Sequence, residues 1–144
     1  REHFDRLQTE TRLWRDTWYG GSLPNWFLER TLANVSILAT TTCYRFGTGR
    51  FYGWEGVGCC AGTCTHVWSY AQAAARLFPE LERTTREMVD YGISFQTQTG
   101  QIDYRGEASR KEATDGQAGT ILRTFREHQM CADDRFLKRV WPRT

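Results

Sequence analysis

The sequence lacks the features by which membrane and nucleic-acid-binding proteins are most easily recognised. No apolar run approaches the roughly 18 consecutive residues that a membrane-spanning helix needs, so no transmembrane segment is predicted. The formal net charge is only +2, too small to give a strong field for attracting nucleic acid. A secretory signal peptide is also absent. The absence of a signal peptide does not indicate where in the cell the protein resides, because the sequence is interpreted as an interior stretch of a longer protein.

Aromatic residues are what the sequence has in excess. They make up 14% of the 144 residues and include six Trp, six Tyr and eight Phe. The hydrophobic and charged fractions, 40% and 25%, are otherwise typical of a globular protein. The aromatic excess indicates either a large core or a surface that binds carbohydrate.

Both ends of the sequence predict a fragment. The chain begins at Arg1, without Met, inside a helical pattern, and it stops just after Pro142, a residue type that opens helices. We therefore expect residues 1–144 to be a fragment of one larger domain.

Hydrophobic periodicity predicts a mostly helical chain with two long loops. The predicted helical segments are 2–18, 22–41, 65–91, 115–128 and one that Asp133 caps, with a new segment beginning at Pro79. The glycine-rich loop 45–64 and the polar loop 92–113 separate them, with a short strand near 101–105. This order predicts an all-α fold that is part of an (α/α)6 toroid, with long active-site loops and room for short strands. Long loops inside a compact domain usually serve function.

Two acidic residues lie in sequence contexts that favour a catalytic role. Glu55 lies among aromatics and glycines in 51–58, and Asp115 comes just before a helical stretch. An aromatic wall and close backbone suit a sugar ring, and two carboxylates on separate segments are the minimum equipment for cleaving a glycosidic bond. The alternative readings are an ion pair between Glu55 and Arg50 and a simple helix cap at Asp115.

Several motifs together resemble the catalytic region of glycoside hydrolase family 116, the family of the non-lysosomal glucosylceramidase and its microbial β-glucosidase relatives. The resemblance rests on sequence stretches in the right order over nearly the whole chain: LPNW at 23–26, WEG at 54–56, GTCTHVWSYAQA at 62–73, RLFPELE at 76–82, DGQ at 115–117 and FLKRVWP at 136–142. The family implies a retaining, exo-acting β-glycosidase on an (α/α)6 barrel behind an N-terminal β-sandwich domain. A β-linked glycoside is the implied partner, together with that domain and the remaining barrel helices, and no cofactor or metal is implied.

On the matching positions, Glu55 takes the nucleophile role and Asp115 the acid/base role. Candidate substrate-binding residues are Trp54, Thr65, His66, Trp68, Tyr104 and Arg105. Where the glucosylceramidase branch has an Asp, this chain has His66, so the sugar stays open among glucose, xylose, N-acetylglucosamine and a uronic acid. The tryptophans equally suit a core. Arg105 equally suits an ion pair with Asp103 or Glu107.

The five cysteines support a rival reading. Cys59, Cys60, Cys64 and His66 form a C-C-x3-C-x-H pattern that offers zinc ligands, although its spacing is not that of a standard finger. An odd number of cysteines excludes a complete disulfide framework within the chain. We expect free, partly buried thiols first, one disulfide next, and a metal last.

Three functions from different classes therefore stand. The first is a glycosidase fragment with both catalytic carboxylates, which is expected to be weakly active or inactive alone because its few helices cannot close the barrel. The second is a non-catalytic carbohydrate-binding helical module. The third is a zinc-stabilised interaction domain.

Overall fold

A computed structural model describes residues 2–60, 62–70 and 72–144, with the side chains of residues 32–34 left out. Ala71, within the family motif, therefore lies outside the described residues. The chain divides into two compact units, Arg1–Asn34 and Val35–Thr144.

The first unit holds two helices, as the sequence predicts. Helix α1 spans Phe4–Tyr19 and ends at Gly20, whose amide donates to the carbonyl of Asp16. Helix α2 spans Asn25–Leu32, directly after Pro24. Among the described side chains of this unit only Leu28 is buried. The predicted second helix was too long, because the chain tightens into a 3-10 helix at Ala33–Ala39.

The second unit contains a β-hairpin that overlaps the start of the predicted glycine-rich loop 45–64. Strand β1, Cys43–Arg45, pairs antiparallel with strand β2, Phe51–Gly53, so that Tyr44 lies opposite Tyr52. The sequence allowed for short strands here, and this hairpin is the pair of strands found among the described residues.

The other regular elements of the second unit are helical, which confirms the predicted mostly helical class. Pro79 begins a new helix, as predicted, because its fixed φ and missing amide suit the first turn. The helical elements are α3 (Thr65–Trp68), α4 (Gln72–Leu77), α5 (Pro79–Thr85), a π-helix (Arg86–Ile93), α6 (Thr114–Gln129) and α7 (Arg135–Val140), with short 3-10 turns at Gly106–Ala108 and Trp141–Arg143.

Two local predictions were wrong. The expected strand near 101–105 is a single bridge between Phe95 and Ile102 within the described residues. The expected cap of the last helix, Asp133, precedes the capping position, which Asp134 occupies. Asp133 still accepts a hydrogen bond from the amide of Arg135 at 2.9 Å, so it satisfies a free N–H of that turn.

Two apolar clusters and one charged cluster form the interior of the second unit. The apolar clusters are centred on Tyr91, Ile102, Phe136 and Val140, and on Phe51, Trp68 and Ala74. Buried arginines and carboxylates tie α5 and the π-helix to α6 through Glu82, Arg86, Asp90, Arg123, Arg126 and Glu127. No helix within the described residues is long and apolar enough to cross a membrane.

Candidate active site

A tight turn shapes the loop that carries Glu55. The amide of Cys59 donates to the carbonyl of Gly56 at 3.1 Å, and the amide of Glu55 donates to the carbonyl of Cys60 at 3.4 Å. Gly58 has a φ of +72°, as the reversal requires, and Cys60 has a φ of +27°. A positive φ is uncommon for a residue with a Cβ and is costly to hold. The turn therefore brings the thiols of Cys59 and Cys60 back beside the carboxylate of Glu55.

The second long loop closes against this turn through backbone contacts. The amide of Thr65 donates to the carbonyl of Tyr104 at 2.8 Å. Gly62 has a φ of +81°, and a Cβ there would lie 2.3 Å from the carbonyl oxygen of Arg105. Only glycine tolerates both that φ and that approach. The two loops that the sequence predicted to be functional thus meet in one place.

Glu55 lies among one cation, a thiol and an imidazole. Its Oε1 is 3.5 Å from Nη2 of Arg105, and the Glu55 side chain is 24% exposed. One ligand atom each from Glu55, Cys64 and His66 lies within 4.8 Å of the others. The carboxylate is therefore held in place from one side and remains open to solvent on another.

The ion-pair alternatives considered from the sequence named the wrong partners for Arg50 and Arg105. Arg50 pairs with Glu107 at 2.7 Å, and not with Glu55. That hydrogen bond lowers the pKa of Glu107, against a smaller opposing effect of burial. Arg105 pairs with Glu55, whereas its expected partners were Asp103 or Glu107. The closeness of Arg50 and Glu55 in the sequence therefore does not predict their pairing.

His66 is held between a thiol and an aromatic ring. Its ring nitrogens lie 3.4 and 3.5 Å from Sγ of Cys64. Its ring stacks on that of Tyr104 with centroids 5.7 Å apart, and the guanidinium of Arg105 covers the Tyr104 ring at 4.8 Å. His66, Tyr104 and Arg105, all predicted to bind substrate, are therefore neighbours beside Glu55.

Asp115 lies in the first turn of α6 rather than at its cap. Ala113 occupies the capping position, so the expected cap was wrong by two residues. The exposed carboxylate of Asp115 accepts a hydrogen bond from the amide of Gly116 at 2.9 Å. An acidic group here also complements the positive end of the helix dipole.

Two glycines let α6 approach α3 closely. A Cβ at Gly116 would lie 2.2 Å from Oγ1 of Thr65 and 3.2 Å from the amide nitrogen of His66. A Cβ at Gly119 would lie 2.2 Å from Oγ of Ser69. The start of α6, with Asp115, is thereby pressed against the segment Cys64–Thr65–His66, whose other neighbour is Glu55. Sequence reasoning missed this contact, although the spacing of three residues between the glycines was its signal.

The remaining predicted site residues differ in burial: two are buried, and one keeps accessible surface. Trp68 is 9% exposed and packs edge-to-face against Phe51 in the core, so the structure does not support stacking on a sugar for it. Thr65 is also buried, and its hydroxyl has no hydrogen-bond partner among the described residues. Trp54 is half-buried and contacts the rings of Tyr44 and Tyr52. Of the two tryptophans, Trp54 is therefore the one with accessible surface.

The cysteines are free thiols, as expected first from the sequence. Burial raises the pKa of Cys64, and its hydrogen bond to the Glu55 carboxylate raises that pKa further. The pKa of the exposed Cys59 is raised chiefly by its hydrogen bond with Cys60. Burial and the neighbouring carboxylate thus both raise the pKa of the Cys64 thiol and favour its protonated form.

No model of a known protein family matches this chain, and no curated protein matches it either.

Proposed function

We propose that this chain carries the catalytic carboxylates of a retaining β-glycosidase, with Glu55 as nucleophile and Asp115 as acid/base. One observation carries the proposal: the Glu55 turn and the start of α6 both lie against the segment from Cys64 to His66. Two carboxylates on different elements that flank one short segment suit attack and protonation at a single glycosidic bond.

The surroundings of Glu55 suit a nucleophile. Arg105 orients the carboxylate while leaving it partly exposed. In the proposed reaction, a Glu55 oxygen attacks the anomeric carbon as the bond to the leaving oxygen breaks, and Asp115 gives that oxygen its proton. Water then displaces Glu55 from the glycosyl-enzyme, and Asp115 takes the proton back.

Sugar recognition is assigned to side chains that remain accessible beside Glu55. His66 and the hydroxyl of Tyr104 offer donors and acceptors for sugar hydroxyls, and the half-exposed ring of Trp54 offers an apolar wall. Neither the buried Trp68 nor the buried Thr65 hydroxyl is included.

We place the helices in an (α/α)6 toroid. Helix α6 supports this assignment because it buries a polar face, with Thr120, Arg123 and Glu127, and exposes Leu122 and Phe125. A helix that contacts its neighbours through polar groups while an apolar face stays exposed suits a second layer of helices. The remaining helices and a β-sandwich domain of the same protein are the expected partners.

Covalent labelling tests the nucleophile most directly. A cyclitol epoxide shaped as a β-glucoside labels a retaining nucleophile in a single event, so it detects a site even when turnover is slow. We expect peptide mapping to find the label on Glu55 and E55Q to abolish both labelling and hydrolysis of an aryl β-glucoside. The exposed carboxylate of Glu112 supplies the control, and E112Q should be labelled like the unaltered chain. A label on any other residue, or full hydrolysis by E55Q, would refute the assignment.

The role of Asp115 is tested by the leaving group. In the longer protein that the toroid assignment implies, D115N should slow hydrolysis of an alkyl β-glucoside by about 10²–10⁴-fold, the usual contribution of general acid catalysis. A dinitrophenyl glucoside needs no protonation to leave, so its first step should be nearly unaffected. Equal losses on both substrates would contradict the acid role. Glycoside binding without labelling or turnover would favour the non-catalytic carbohydrate-binding module instead.

A further inference from the structure

Gln117 joins the first turn of α6 to the second long loop. Its side-chain Oε1 accepts a hydrogen bond from the amide of Ile102 at 2.9 Å, and its Nε2 donates to the carbonyl of Gly100 at 3.1 Å. A carboxamide carries both an acceptor and a donor, so one side chain satisfies both backbone groups. The proposed glycosidase chemistry has so far assigned no role to this residue.

The part of the loop that Gln117 contacts is held in place by buried groups of its own. Ile102 is 2% exposed and belongs to one of the two apolar clusters. The buried carboxylate of Asp103 accepts hydrogen bonds from the side chains of Gln96 at 2.6 Å and Gln101 at 2.7 Å. Gln117 therefore joins α6 to a firmly packed part of the loop.

The same loop continues directly to the surroundings of Glu55. Three residues after Ile102, Arg105 places its Nη2 3.5 Å from Oε1 of Glu55. The loop thus orients the proposed nucleophile at one point and, through Gln117, contacts the helix of the proposed acid at another. A short stretch of backbone connects these two points.

Successive positions in the first turn of α6 face different neighbours. Side chains advance by about 100° per residue around a helix. Gly116 faces α3, where a Cβ would lie 2.2 Å from Oγ1 of Thr65, and Gln117 faces residues 100–102. Two contacts about 100° apart fix the rotation of the turn about the helix axis. The carboxylate of Asp115 accepts a hydrogen bond from the amide of Gly116 in the same turn, so its direction follows that of the turn.

We propose that Gln117 positions Asp115 for proton transfer, by holding the first turn of α6 against the loop that also orients Glu55. The inference rests on the proposed glycosidase function and adds a positioning residue to it, because the carboxamide of Gln117 is occupied by two backbone groups. An acid must lie within hydrogen-bond reach of the leaving oxygen. A misplacement of about 1 Å lowers such a rate by about 100-fold.

Q117M tests the role with two substrates. Methionine has a similar length and makes neither hydrogen bond. In the longer protein used for D115N, Q117M should slow hydrolysis of an alkyl β-glucoside by about 10- to 100-fold. The first step with a dinitrophenyl glucoside needs no acid and should be nearly unaffected. Equal losses on both substrates would indicate a general disturbance of the site and contradict the positioning role.

A double substitution shows whether Gln117 acts through Asp115. If it does, D115N/Q117M should hydrolyse the alkyl β-glucoside as slowly as D115N alone, because an acid that is missing cannot be misplaced. A double variant that is slower than D115N by the same factor that Q117M produces alone would show independent effects. That result would overturn the proposal.

Y91F is the matched control for a general loosening of α6. It removes the buried hydrogen bond of 2.7 Å between the Tyr91 hydroxyl and Oγ1 of Thr124, which joins α6 to the π-helix beyond the first turn. Y91F should leave hydrolysis of both glucosides nearly unchanged, and so should Q129M, at an exposed glutamine of the same helix. A loss in Y91F equal to that in Q117M, and on the alkyl substrate alone, would contradict the specific role of Gln117.

Amide hydrogen exchange measures the contact without any activity. In Q117M the amide of Ile102 should exchange faster by about 10-fold or more, because it loses its acceptor, whereas in Q129M it should exchange as in the unaltered protein. An unaltered protein that the cyclitol epoxide does not label on Glu55 overturns the proposed function and this role with it. Labelling of Glu55 together with unchanged exchange at Ile102 in Q117M overturns the role of Gln117 alone.

Discussion

At the scale of single residues, Gly116 sets how close Asp115 comes to the rest of the candidate site. A glycine inside a helix costs about 1 kcal/mol relative to alanine, so this position carries a local penalty. The penalty is offset because the missing side chain lets α6 rest on Thr65 and on the backbone of His66. The position of the proposed acid therefore depends on a residue without functional groups.

G116A tests this contact. The new methyl group would meet Oγ1 and Cβ of Thr65 at 2.2 and 3.2 Å, so we expect the free energy of unfolding to fall by about 1–3 kcal/mol, as for other overpacked sites. Urea unfolding measures it. G47A is the control, because a Cβ there meets nothing within 4 Å and should leave stability nearly unchanged or slightly higher. Stabilisation by G116A would show that α3 and α6 do not pack this closely.

At the scale of elements, helix α6 packs against its neighbours through polar and charged side chains, whereas most helices pack through apolar ones. Its buried side includes Thr120, Arg123, Thr124 and Glu127. Burial lowers the pKa of Arg123 to about 10, so this guanidinium stays charged at neutral pH beside Asp90. Burial also raises the pKa of Glu127, an effect that Arg126 opposes. Such a network is costly to desolvate and more costly to break than an exposed pair.

R86M tests the network. Arg86 is 1% exposed and lies 2.6 Å from Asp90, so its removal leaves a buried carboxylate whose remaining cation, Arg123, is 3.7 Å away. We expect a loss of about 3–5 kcal/mol in the free energy of unfolding. R135M is the control, since the pair of Arg135 with Asp133 is largely exposed and such pairs contribute little to stability. Equal losses in the two variants would mean that the network is solvated.

At the scale of the whole molecule, apolar side chains remain exposed on several elements. On α6, Leu122 is 68% and Phe125 is 58% exposed. A large exposed apolar surface usually marks a contact with another element or protein. The assignment to a larger toroid supplies such contacts, and it makes a direct prediction for the chain on its own.

The isolated chain should bind a hydrophobic dye with a clear rise in fluorescence. L122K should reduce that rise, because it replaces an exposed apolar side chain on α6. Q129K adds the same charge at an exposed position of the same helix without removing apolar surface, and it should not change dye binding. A chain that leaves the dye signal unchanged would argue that its domain is complete.

The sequence by itself determined the mostly helical class, the order of the main helices and the loop that bears Glu55. These features follow from local rules: helical periodicity, proline at a first turn, and glycine where the chain reverses. Helix α1 and the start of α5 lie almost where those rules put them. The resemblance to a glycosidase family added roles for residues, and those roles remain proposals.

Only the tertiary structure decided which side chains meet. It gave Glu55 the partner Arg105 rather than the nearby Arg50, and it put Trp68 in the core rather than against a ligand. It also brought Cys64 and His66 to Glu55 from across a loop. Contacts of this kind depend on how separate segments pack, and the free energy of packing is shared among many residues, so no local pattern in the sequence specifies them.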